Sequence, residues 1–149
     1  MSDKTYRVIQ WMTGDVGQAG IRHFAACPTF DLVGVLVHSK DKVGKDAGEI
    51  AGIEPIGVIA TDDVGAVVAT DADCVFYTPI IMDVATVCRL LRSGKNVVTT
   101  AGFFHPTEDF RAAGDQIRAA CTEGGASFHG GGIHPGYAGD VLPLTLARV

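Results

Sequence analysis

The stretch Tyr6-Arg-Val-Ile-Gln-Trp-Met-Thr-Gly-Asp-Val-Gly-Gln-Ala-Gly-Ile-Arg-His-Phe24 constrains the fold more than any other part of the chain. It reads as a short strand, a glycine turn and an amphipathic helix. Gly14, Gly17 and Gly20 recur at three-residue spacing across the turn and into the helix. Glycines so spaced serve a tight turn, close approach of backbone to a pyrophosphate, and close packing of helix on strand. The helix N-terminus adds unpaired N–H groups and the positive end of the helix dipole, both of which favour phosphate. Thr13, Gly14, Asp15, Val16 and Gly17 are therefore candidate contacts to a dinucleotide. Asp15 within the turn reads more simply as a turn-former than as a catalytic acid.

Strands and helices alternate after this unit. Arg7–Trp11 is the first strand, and the helix after it sets Ile21, Phe24 and Ala25 inward and stops at Cys27-Pro28. Leu32–His38 is a near-continuous apolar run, the pattern of a strand buried on both faces. Lys40–Glu54 is polar and glycine-punctuated, a surface loop or short helix; Ile56–Ala60 is a brief third strand, and Thr61 is the expected cap of the next helix. Cys74–Thr78 is strand four, closed by Pro79. In Asp83–Ser93, Val84, Val87, Cys88 and Leu91 share one helical face, and Gly94 ends it. Asn96–Thr100 is strand five. Thr107 caps a helix that starts with Glu108 and Asp109, turns Phe110, Ala113 and Ile117 inward, and stops at Gly124-Gly125. Ser127–Gly130 is strand six. This alternation predicts an α/β fold, a Rossmann-type doubly wound parallel sheet of about six strands with helices on both faces.

The bulk composition agrees. Apolar residues at 47% with 19 glycines suit a buried sheet joined by glycine turns. A net charge of −5 argues against a nucleic-acid surface. No apolar run approaches the ~18 residues of a membrane span, so neither nucleic acid nor membrane is an expected partner. Cys27, Cys74, Cys88 and Cys121 are widely spaced, as buried thiols in a reducing cytoplasm would be. The chain reads as one dinucleotide-binding domain over residues 1–149. Its apolar close, Asp140-Val-Leu-Pro-Leu-Thr-Leu-Ala-Arg-Val149, predicts a longer parent with a C-terminal substrate and oligomerisation domain, and self-association through the last helix.

In an open parallel sheet, ligands bind beyond the carboxyl ends of the strands. After strand two the chain offers His38, Ser39 and Lys40, with the first acid at Asp41. Cation plus hydroxyl suits the 2′-phosphate of NADP, NAD remaining an alternative; the bland reading is a solvated loop in which Lys40, Lys42 and Lys45 alternate with Asp41 and Asp46. Thr78-Pro79 follows strand four, where the proline either stiffens the turn beneath a cofactor or simply ends the strand. Thr99-Thr-Ala-Gly-Phe-Phe-His-Pro106 and His129-Gly-Gly-Gly-Ile-His-Pro-Gly-Tyr137 follow strands five and six. His134 and His105 are the candidate catalytic side chains, as substrate ligands or proton donors, against the simpler reading of loop histidines. His129 and His134 lie five apart without a carboxylate or cysteine at ligand spacing, so no metal site is expected. The chain has no Gly-x-x-x-x-Gly-Lys-Ser/Thr loop, no Tyr-x-x-x-Lys pair and no Gly-x-Ser-x-Gly elbow.

The glycine turn, Cys74-Val-Phe-Tyr-Thr-Pro79, Val97-Val-Thr-Thr-Ala-Gly-Phe103 and Gly132-Ile-His-Pro-Gly136, in that order, resemble the N-terminal domain of the dihydrodipicolinate reductase-like family. The branch they are most similar to contains 2,4-diaminopentanoate dehydrogenase and native amine dehydrogenases. The resemblance implies reversible hydride transfer between NAD(P)H and a C=N or C=O carbon, with the cofactor over the glycine turn. It implies that Thr100, Ala101, Gly102 and Phe103 contact the nicotinamide and that His38, Ser39 and Lys40 select the 2′-phosphate. Met12 departs from the pattern, standing where the first glycine is common. So does Ala101-Gly102-Phe103-Phe104, where the branch's amine dehydrogenases resemble one another in a glutamate; this argues against amine deamination. The expectation is an oxidoreductase domain that binds cofactor without turning over alone, a small-molecule substrate and homo-oligomerisation belonging to the parent. The rival is a non-catalytic nucleotide module, redox-sensing or CoA-binding.

Overall fold

The computed structural model describes residues 4–101, 110–134 and 136–147. Six parallel strands form one sheet in the order β3-β2-β1-β4-β5-β6. They are β1 (Tyr6–Trp11), β2 (Phe30–Leu36), β3 (Ala60–Thr61), β4 (Cys74–Tyr77), β5 (Asn96–Thr99) and β6 (Phe128–Gly130). The helices are α1 (Asp15–Ala26), α2 (Ala47–Ala51), α3 (Val64–Ala69), α4 (Val84–Arg92), α5 (Arg111–Gly124) and α6 (Leu142–Leu146). The order reverses beside β1: the chain moves outward to β2 and β3, then returns to lay β4 on its other edge, pairing Val8 with Cys74 and Trp11 with Tyr77. That reversal opens a crevice at the carboxyl ends of β1 and β4.

Strand alternation divides the core in two. Ile9, Trp11, Leu36, Val75, Tyr77 and Val97 face α3, α4 and α5, where Val67, Val87, Leu90, Leu91, Ile117 and Ala120 meet them. Val87, Leu90 and Leu91 are wholly buried, worth roughly 1.5–3 kcal/mol each over exposure. On the opposite face Leu32, Val35, Val37 and Ala60 pack against Ile21 of α1 and Ala47 and Ala51 of α2. No described helix is long and apolar enough to cross a membrane.

Helix α1 approaches the sheet through glycine. A Cβ on Gly17 would run into the Met12 carbonyl oxygen, far inside contact distance, and one on Gly20 would lie 2.6 Å from Gln10 Oε1 and 2.9 Å from the Phe76 ring. The inward stripe is therefore Gly17, Gly20 and Ile21 with Phe24 beside it; Ala25, expected inward, is exposed.

The segment after β2 differs most from the sequence expectation. A 3₁₀ turn at Lys40–Lys42 leads into α2, whose Ala47, Gly48 and Ala51 are buried. Asp46 caps α2 by accepting from Gly48 N (2.7 Å) and also accepts from Ile56 N (2.9 Å) and Gly57 N (2.7 Å). Those two amides thus go to a carboxylate instead of a ladder, and Gly57 sits at φ +81°. The third strand accordingly shrinks from Ile56–Ala60 to Ala60–Thr61, while residues 58–60 bond back to the loop through Ala47 N to Val58 O and Ala60 N to Lys45 O. Thr61 is not a helix cap: it belongs to β3, and Asp63 caps α3 by accepting from Ala66 N at 3.0 Å. Phe110, expected inward, is half exposed ahead of α5. Thr107, Glu108 and Asp109 lie outside the described residues. Beyond β6 a π-helical turn (Tyr137–Val141) runs into α6, on which Leu144 and Leu146 are exposed.

Two measurements test this account. Gly17→Ala should destabilise the chain by about 1–3 kcal/mol in urea melts, overpacking outweighing the ~1 kcal/mol helix-propensity gain. Gly14→Ala, whose added methyl meets nothing within 4 Å, should stay within about 1 kcal/mol of wild type; equal stability of both variants would refute the close approach of α1. For Asp46, the Ile56 N–H foremost, with Gly48 and Gly57, holds the carboxyl below its ordinary value of 3.8 despite opposing desolvation. A depressed carboxyl stabilises the fold above the unfolded-state value and loses that stabilisation as pH falls through the folded one. Asp46→Asn should therefore be less stable than wild type at neutral pH, with the gap narrowing below pH 3.8; a gap constant with pH would show that the ionised carboxylate is not what ties the loop.

Candidate functional site

At the reversal point, three strand ends converge on a crevice of about 370 Å³. Met12, Thr13 and Gly14 come from the turn after β1, His38, Ser39 and Lys42 from the segment after β2, and Thr78, Pro79 and Ile80 from the loop after β4. The volume lies within the roughly 300–1,000 Å³ usual for small-ligand sites. Ile80 is fully exposed at the rim. Helix α1 begins here with Gly14 as N-cap and no side chain capping its first amides. Its twelve residues give a dipole whose positive end points at the crevice.

The turn is built differently from the sequence expectation. Gly14 takes an extended conformation, φ −69° and ψ −171°, and contributes open space where a Cβ would stand. The left-handed residue is Met12, at φ +73°, alone among the described non-glycine residues. For an L-residue this costs roughly 1–2 kcal/mol. The Met12 backbone is tied at both ends: its N–H donates to Leu36 O at 2.9 Å, and its carbonyl accepts from Gln10 Nε2 at 2.8 Å. The same Gln10 amide donates to Thr78 Oγ1 at 2.9 Å, and that hydroxyl donates to Trp11 O at 3.0 Å. Gln10 is wholly buried in β1, and its Oε1 has no hydrogen-bond partner among the described residues. Thr78 therefore lines the crevice with its hydroxyl already committed to the strand ends.

Charge around the crevice is divided between two lysines. Lys40 pairs with Asp62, holding the Asp62 carboxyl below its ordinary value, and does not line the crevice. Lys42 does: its Nζ donates to Thr13 O at 2.9 Å and Thr13 Oγ1 at 3.3 Å. The 3₁₀ turn brings this about, aiming Lys42 back at the glycine turn while Lys40 stays outside. Asp15 and Val16 are exposed at the first turn of α1, Thr13 is buried, and His38 and Ser39 are exposed at the β2 end.

The remaining sequence candidates lie elsewhere. Thr100 is half-buried and Ala101 buried just past β5, where Ala101 N donates to Thr99 Oγ1 at 3.0 Å. Gly102, Phe103 and His105 are outside the described residues. His134 is exposed on the turn after β6, beside Gly139 and not among the crevice-lining residues. Sequence reasoning passed over Gln10 and gave Lys42 no role of its own. A lone amide inside an apolar strand, directly before a turn lacking its first glycine, is the signal that identifies Gln10.

Known proteins share this fold. The fold is shared with an amine dehydrogenase from Mycobacterium smegmatis (TM-score 0.83, 21% identity, 97% of this chain and 44% of that one). It is shared also with biliverdin reductase from Synechocystis sp. PCC 6803, solved with biliverdin and NADP+ (TM-score 0.65, 21% identity, 91% and 42%). An amine dehydrogenase of Streptomyces virginiae is 41% identical over 93% of this chain and 41% of its own length; the chain thus spans less than half of these relatives. Residues 8–122 match the family described as "Dihydrodipicolinate reductase, N-terminus". With that match running from β1 into α5, the chain belongs to the dihydrodipicolinate reductase N-terminal domain family.

Proposed function

We propose that the chain is the NADP(H)-binding domain of an oxidoreductase that moves hydride between the nicotinamide and a C=N or C=O carbon. The observation that carries this reading is the crevice at the β1–β4 reversal, where the uncapped start of α1 and the open face of Gly14 meet a lysine ammonium. The donor set fits a dinucleotide. Backbone amides at the start of α1 suit a pyrophosphate, and the vacant Cβ position of Gly14 allows backbone contact with it. His38, Ser39 and Lys42 supply hydroxyl and cation at the β2 end, where a 2′-phosphate-bearing ribose is read in this fold. Pro79 and Ile80 offer an apolar wall opposite.

The nicotinamide, when bound, supplies the hydride. The residues of this chain bind and orient: Thr13 and Gly14 at the phosphates, Lys42 as counter-charge, and Thr100, Ala101, Gly102 and Phe103 beside the ring by family resemblance. Membership of a reductase family supports the hydride chemistry. His134 and His105 are this chain's candidates for binding substrate or donating a proton.

Calorimetric titration with NADPH and NADH tests the reading. NADPH should bind more tightly. Lys42→Ala should weaken NADPH about tenfold, or about 1.4 kcal/mol, and NADH less. Lys40→Ala, whose partner is Asp62, should change either by under about threefold. Equal affinity for the two cofactors would remove the 2′-phosphate assignment, and failure of both to bind would remove the dinucleotide reading for this chain.

A further inference from the structure

We propose that the buried amide of Gln10 replaces the missing first glycine of the turn, holding Met12 in its left-handed conformation so that the turn is pre-shaped for the cofactor. Gln10 touches no ligand in this scheme; it is a positioning residue acting through Met12. The inference rests on the dinucleotide reading of the crevice.

A glycine adopts positive φ at little cost, whereas a side chain at the same place must be held there. Met12, at φ +73°, is held by one short bond from Gln10 Nε2 to its carbonyl, 2.8 Å. The second amide proton goes to Thr78 Oγ1 at 2.9 Å, and the threonine proton goes on to Trp11 O at 3.0 Å. This relay locks the ends of β1 and β4 together where they part to form the crevice. It also fixes which way the amide points, because the opposite orientation would set Oε1 against the Met12 carbonyl and against a hydroxyl whose proton is committed elsewhere.

The arrangement has a cost that a positional role accounts for. Among the described residues Gln10 Oε1 is buried without a hydrogen-bond partner, a polar atom that an aliphatic side chain would not bring into the strand. Two helix glycines keep the space open: a Cβ on Gly20 would sit 2.6 Å from Oε1, and one on Gly17 would overlap the Met12 carbonyl. Gln10, Gly17 and Gly20 thus serve a single backbone conformation. With the Met12 carbonyl drawn inward, the trans peptide turns the Thr13 N–H the opposite way, toward the crevice.

A double-mutant cycle on the full chain tests this, with Gln10→Met, Met12→Gly and the pair compared by NADPH calorimetry and by the Thr13 amide resonance. Gln10→Met should weaken NADPH binding about tenfold alone but less than about threefold when combined with Met12→Gly. The Thr13 resonance should shift in Gln10→Met and return in the pair. Equal losses in both backgrounds, or none in either, would overturn the proposal and make Gln10 a packing residue. Should Gln10→Met fail to fold alone, recovery of the fold on adding Met12→Gly is the expected rescue, and no recovery refutes it. If NADPH binds none of the proteins, the cofactor reading fails while the Thr13 pattern still decides the role of Gln10.

Discussion

Helix α1 lies so close to β1 and β4 that backbone, and not a side chain, occupies two of its contact positions, and the carboxyl edge of the sheet is arranged around that approach. Gly17 rests against the Met12 carbonyl, and Gly20 against Gln10 and Phe76. Because the helix starts directly at the turn, its distance from the sheet also sets where its free amides stand. A side chain at either glycine would lift the helix or displace the Met12 carbonyl, and either change would move the N-terminus relative to the strand ends. Packing of α1 on the sheet and placement of its N-terminus are here one constraint, met by the same residues.

The second wall of the crevice depends on a carboxylate some distance away. Asp46 gathers the amides of Gly48, Ile56 and Gly57, closing the path from β2 to β3 into a compact loop with α2 inside it. That closure leaves β3 only two residues long, and it ends the 3₁₀ turn where Lys42 can reach Thr13. The charge at the glycine turn is thus delivered by a loop whose geometry is fixed by hydrogen bonds to one buried aspartate. The lysine next to the strand end spends its ammonium on Asp62 instead.

What could be read from sequence follows the range of the forces involved. Periodic apolar runs report local burial, so the sheet, α4 with its Val87–Cys88–Leu91 face, and the glycine stop of α5 were all legible. The third strand was not, because its amides are taken by Asp46 from ten residues away. Thr61 and Asp63 both have capping chemistry, and only the tertiary pairing of Thr61 with Leu36 decides between them. At the crevice, the glycine turn and the β2 end were legible as places where strand ends converge. That Lys42 and not Lys40 lines the crevice was not legible, since it turns on the direction of a single 3₁₀ turn.

The two local rules this chain breaks are broken side by side. A methionine takes a backbone conformation suited to glycine, and a glutamine occupies a strand interior suited to an aliphatic residue; each alone is a defect of stability. Together they are complementary, because the donor that the core does not need is the one the strained carbonyl uses. Local rules are most often broken near functional or strained places, and here Met12 lines the crevice while Gln10 lies two residues before it. A glycine at position 12 would satisfy the turn passively and leave it free to sample other conformations. Met12 held by Gln10 also ties the turn to Thr78 and so to β4, making the two sides of the reversal point a single unit. The glutamine thus couples the shape of the turn to the spacing of the strands that frame it, which glycine alone does not do.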